Sequence, residues 1–94
     1  MLCYGNAEIE TPSLNALAQE SFVFENAYVA QPVCTPARAT IMTGLYPHTA
    51  GPIVNQIHLS EDTPVIAEMI SDDYYKGYMG KWHLGNDLVA QHGY

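Results

Sequence analysis

Cys34-Thr35-Pro36-Ala37-Arg38, continuing through Ala39-Thr40-Ile41-Met42-Thr43 to Gly44, is the stretch from which the rest of this chain is read. Proline is favoured at the first position of a helix, where its missing N–H costs nothing, so the spacing predicts a helix opening at Pro36 with Thr35 as its N-cap. Gly44 reads as the residue just past the helix, where a left-handed turn closes it. Cys34 then lies just outside the positive end of the helix dipole, where negative charge is favoured. Arg38 falls within the first turns and can swing its guanidinium fork towards the same spot. The prediction is an anion site with a potential nucleophile in it. A lone cysteine before a capped helix is most often a small buried hydrophobe. The proline, arginine and Thr-Gly at fixed offsets turn the reading towards chemistry.

A second stretch, Gly80-Lys81-Trp82-His83-Leu84-Gly85, carries the other charged and titratable groups of interest. If residues 76–82 form a strand, its glycines permit close backbone approach. Lys81 and His83 then share one face, while Trp82 faces the other way and packs. Of the three basic residues, Arg38, Lys76 and Lys81, two fall inside these two stretches. That placement implies a local anion pocket shared by positions 34, 38 and 81, shaped for a tetrahedral oxyanion.

Both stretches follow a candidate strand, and the intervening sequence supplies helices. Thr11-Pro12 predicts a helix start with Leu14, Leu17, Ala18 and Ser21 along one face. Phe22-Val23-Phe24 predicts a short strand, with extended chain towards Val29. Leu45 to Pro52 is dense in turn residues and reads as loop. Thr63-Pro64 repeats the capped start, with Val65, Ile66, Met69 and Ile70 as the buried face of a third helix. Helices alternating with short strands predict an α/β class with a mostly parallel sheet, and such sheets gather sites at strand carboxyl ends.

With 94 residues the chain is one domain at most. Its net charge of −7 argues against nucleic acid, whose binding needs many Lys and Arg phosphate contacts. No run approaches the ~18 apolar residues of a membrane span, and the first residues carry no signal-peptide pattern. Cys3 and Cys34 are open to a disulfide, which excludes modification of Cys34. His48, His58 and His92 lack metal-finger spacing and read as loop residues. Asp72-Asp73 reads as a solvated turn rather than a hard-metal pair.

The two motifs together resemble those of the formylglycine-dependent sulfatase family, whose signature is Cys-x-Pro-x-Arg followed by Gly-Lys-Trp-His-Leu-Gly. Cys3-Tyr4-Gly5-Asn6, Thr11-Pro12-Ser13-Leu14 and Tyr46-Pro47-His48 resemble neighbouring family segments in the right order. The resemblance runs from Cys3 to about Tyr94. It implies an incomplete alkaline-phosphatase-like α/β fold, with residues 1–94 forming part of an N-terminal catalytic domain and lacking its first strand and C-terminal remainder. It implies that Cys34 is converted to formylglycine by a formylglycine-generating enzyme, the hydrated aldehyde attacking the sulfur of a small-molecule or carbohydrate sulfate ester. Arg38 would hold that diol, Lys81 would bind sulfate oxygens, and His83 would take the proton that lets sulfate leave. Calcium, or magnesium in some members, would be bound by the formylglycine oxygen of residue 34 and by acidic residues outside this chain. The same motifs suit a phosphonate monoester or phosphodiester hydrolase, or a non-catalytic anion-binding fragment. Full-length relatives imply a periplasmic, secreted or lysosomal compartment.

Overall fold

Three α-helices and two 3-10 turns make up the regular structure of the computed structural model, which describes residues 1–94. The helices are α1 (Pro12–Gln19), α2 (Cys34–Thr43) and α3 (Pro47–Ala50); the 3-10 turns are Leu2–Tyr4 and Ile66–Met69. No strand forms, so the expected α/β sheet is absent. The reason lies in hydrogen bonding. A strand needs a neighbouring ladder, and Leu59 N–H to the Leu84 carbonyl (2.7 Å) is the one bond outside the helices that joins distant segments of backbone. The β-forming run from Phe22 to Val29 therefore stays unpaired and bends at Glu25 and Asn26, with Phe22 96% and Tyr28 91% exposed.

Helix α2 forms the centre. Its first residue is Cys34, not Pro36, and its N-cap is the extended Val33. Proline is tolerated anywhere in the first turn because those N–H groups have no partner inside the helix. Thr35 thus lies inside the helix rather than capping it, and its N–H donates instead to Asn55 Oδ1 at 3.0 Å. At the other end Gly44 takes the expected left-handed conformation (φ 71°), its N–H donating to the Thr40 carbonyl. Thr35, Pro36, Ala39 and Thr43 form the buried stripe, at spacings of one, three and four residues.

Tyr46 leads into α3, a single helical turn opened by Pro47 where a loop was expected. It packs on α2. Around this pair gather Leu59, Val65, Ala67, Trp82 and Leu84, with Met42, Leu45 and Tyr94 against them. The third helix predicted after Pro64 is reduced to the 3-10 turn Ile66–Met69. Its burial alternates: Val65 is fully enclosed, Ile66 is 54% exposed, and Ala67 is again enclosed. Glu68 closes this turn by accepting the Val65 N–H at 2.9 Å. The face predicted for α1 is likewise unpacked, since α1 buries no residue.

The core is small. Twelve residues are buried, and the radius of gyration is 16.6 Å, against about 12 Å for a compact chain of this length. Thirty backbone–backbone hydrogen bonds form, roughly half the number such a chain makes when fully folded on itself.

Candidate functional site

Cys34, the first residue of α2, is solvent-exposed, and Cys3 is half-buried; both are free thiols, so no disulfide joins them. Arg38 sits one turn further along α2 and shares that face of the helix. Its Nη1 donates to the carbonyl oxygen of Lys81 and, at 3.4 Å, to the Tyr78 hydroxyl. The Tyr78 hydroxyl in turn donates to the same Lys81 carbonyl at 2.8 Å. The two sequence motifs, 43 positions apart at this contact, therefore meet through one guanidinium. The Lys81 amine projects from an exposed residue and takes part in no ion pair, whereas Lys76 pairs with exposed Asp72 at 3.1 Å.

His83 departs from the strand geometry expected of it. Its φ is 57°, in the left-handed region uncommon for residues with a side chain. The backbone turns there because Asp87 Oδ1 accepts the His83 N–H at 2.9 Å. The two-residue alternation that would align Lys81 with His83 does not apply at such a turn. His83 Nδ1 is buried and without a hydrogen-bond partner. No hydrogen bond ties Cys34 or His83 to the pairing of Arg38 with Lys81.

Trp82 packs as its motif position predicts. It is buried and stands edge-on to Tyr78 (centroids 5.2 Å) and Tyr94 (5.8 Å). Its indole N–H donates to Gln91 Oε1 at 3.3 Å, and Gln91 Nε2 donates to the Asn86 carbonyl at 2.7 Å. A cavity of about 240 Å³ opens beside these rings, walled by Tyr78, Trp82, Asn86, Asp87, Gln91 and Tyr94. A smaller one of about 60 Å³ lies between Arg38, Ile41, Met42, Tyr78 and Trp82. Partial burial and the neighbouring Tyr78 raise the Tyr94 phenol above its ordinary value. The fold thus holds that proton more tightly than the unfolded chain does, and stability falls as pH rises from about 10 towards the raised value. Tyr94→Phe is expected to flatten that alkaline decline in urea melts followed by circular dichroism.

The other histidines divide. His48 lies in α3, stacked over Tyr46, and His58 is exposed. His92, read from sequence as a loop residue, has a side chain only 2% exposed, with Nδ1 3.7 Å from Glu68 Oε2. The calcium that the resemblance implies finds no ligand set here: no three His, Cys, Asp or Glu side chains gather closely enough to hold a cation. A hard cation needs six or more oxygens, so these residues alone do not fit it, and the exposed Cys34 offers at most one ligand. No helix is long and apolar enough to cross a membrane.

Tyr78, Asn55 and Asp87 escape a reading by sequence. Each acts through one polar atom on backbone far along or just beyond the motif, and neither periodicity nor motif spacing encodes that. For Tyr78 the available signal is an aromatic ring three residues before a basic motif residue.

The family profile described as Sulfatase matches residues 1–93. An "Ulvan-active sulfatase" of Formosa agariphila is 43% identical over 81 residues, covering 85% of this chain and 16% of that protein. An "N-acetylgalactosamine-6-O-sulfatase" of Bacteroides thetaiotaomicron is 36% identical over 89 residues, covering 88% and 17%. The human "Steryl-sulfatase" is 35% identical over 95 residues, covering 88% and 16%. The chain thus spans less than one fifth of the length of these relatives. No solved structure matches it.

Proposed function

This chain belongs to the sulfatase family, and from that premise we propose that it is the nucleophile-bearing part of a sulfuric ester hydrolase, within an N-terminal catalytic domain. The observation that carries the reading is the hydrogen bond from Arg38 to the Lys81 carbonyl, which draws both motifs into one place. Cys34 is exposed at the start of α2, open to a modifying enzyme. As formylglycine, residue 34 would supply, through its hydrate, a hydroxyl nucleophile for the ester sulfur. Arg38, anchored one turn away, presents its remaining N–H groups on the helix face that carries residue 34. Lys81 offers an unpaired ammonium to sulfate oxygens as their charge grows. His83 Nδ1, buried and unpartnered, is free to hold or pass a proton.

The relatives' names span a polysaccharide, an amino sugar and a sterol. Sulfated carbohydrate is the substrate class that two of these three names support. Because these residues do not make up a cation site, no catalytic step is assigned to calcium, and the 94-residue chain alone is expected to turn over aryl sulfate negligibly.

Intact-mass measurement tests the reading without requiring turnover. Co-expressed aerobically with a formylglycine-generating enzyme, so that dioxygen serves as oxidant, the chain is expected to lose about 18 Da at Cys34 when read as the unhydrated aldehyde, sulfur and two hydrogens being exchanged for oxygen. Cys34→Ala is expected to show no such change. A Cys34 that stays fully alkylatable under those conditions overturns the proposal and favours a non-catalytic anion-binding fragment.

A further inference from the structure

Arg38 is the single arginine of the chain, and one phenol stands beside its guanidinium. Tyr78 places its hydroxyl between the guanidinium and the Lys81 carbonyl, accepting from Arg38 at 3.4 Å and donating to Lys81 at 2.8 Å. The ring behind that hydroxyl is held by two edge-to-face contacts, with Trp82 at 5.2 Å and Tyr94 at 5.5 Å. Such pairs fix ring direction as well as adding burial. The same ring walls both the larger cavity and the small one behind Arg38. Both acceptors are met by Nη1, so the donors of Nη2 and Nε take no part in these contacts.

We propose that Tyr78 is a positioning residue: its hydroxyl sets the Arg38 fork on the Lys81 backbone, so that α2 and the second motif keep one register and the Arg38 donors turned away from Tyr78 stay available to an oxyanion. This rests on the proposed function only for the identity of that anion. Tyr78 itself touches no substrate. It acts through Arg38, and through the carbonyl that orients the chain at Lys81.

The test uses the 94-residue chain labelled with ¹⁵N-arginine, whose guanidinium signals need no assignment because there is one arginine. In the unaltered chain, Arg38 is expected to show restricted guanidinium rotation and slow N–H exchange. Tyr78→Phe, which keeps the ring and removes the hydroxyl, is expected to speed that exchange about tenfold. Tyr94→Phe removes a hydroxyl from the same ring cluster without touching Arg38, and is expected to leave the signals unchanged. Inorganic sulfate, followed by titration, is expected to bind several-fold more weakly to Tyr78→Phe than to Tyr94→Phe.

Equal effects of the two variants, or no effect of Tyr78→Phe, overturn the proposal. A freely rotating Arg38 in the unaltered chain also overturns it, and that measurement stands even if Tyr78→Phe fails to fold. Absence of sulfate binding by the unaltered chain counts against the proposed function instead, while the ligand-free guanidinium signals still decide the role of Tyr78.

Discussion

Replacing Trp82 with alanine is expected to remove most of the chain's stability. Removing a buried tryptophan costs ~3–5 kcal/mol through lost burial and the cavity left behind. A domain of this length has ~5–14 kcal/mol of stability in total when its core is of ordinary size. Here twelve residues are buried and the backbone makes thirty internal hydrogen bonds, so the margin lies at the low end of that range. Trp82 also anchors Tyr78, Tyr94 and the Gln91 amide, all of which lose a partner together. Urea titration followed by far-ultraviolet circular dichroism reads the loss. Met79→Ala, at a residue 96% exposed, is the control and is expected to change stability by no more than about 0.5 kcal/mol. Similar midpoints for the two variants would mean that the aromatic cluster is not the core.

Arg38→Lys is expected to weaken binding of inorganic sulfate about tenfold or more, although formal charge is conserved. The guanidinium reaches both the Lys81 carbonyl and the Tyr78 hydroxyl through Nη1, which leaves the donors of Nη2 and Nε outside these contacts. An ammonium has three donors on a flexible stem, so serving both acceptors leaves a single donor for an anion, without the planar fixed geometry of the guanidinium. Lys76→Met removes a full charge from a residue paired with exposed Asp72. It is expected to change sulfate affinity little beyond general screening. Isothermal titration of both variants separates the outcomes: equal losses would assign binding to net charge rather than to the meeting of the two motifs.

The helix that carries Cys34 and Arg38 was legible before the fold. The helix over residues 34–43 and its glycine stop follow from local rules, because each depends on residues within a turn or two. The same locality explains the misplaced boundary at α2. Proline is accepted at several positions of a first turn, so Pro36 marks the turn without marking its first residue. Asn55, twenty positions from Thr35, decides where that N–H is satisfied. His83 shows the limit again, since its left-handed turn is held by Asp87 rather than by its own preference.

Taken alone, the sequence determined the family and the helix, with its glycine stop, that carries Cys34 and Arg38. Tertiary structure decided that Phe22 to Val29 and residues 76–82 form no sheet, that Ala67 joins Val65 in the core while Ile66, Met69 and Ile70 stay exposed, and that the Arg38 guanidinium is set on the Lys81 carbonyl. The division is physical: a glycine stop and a helical turn are completed by near neighbours, whereas a ladder, a core position, the acceptor for Thr35 N–H or a guanidinium's acceptor is supplied by chain brought from a distance.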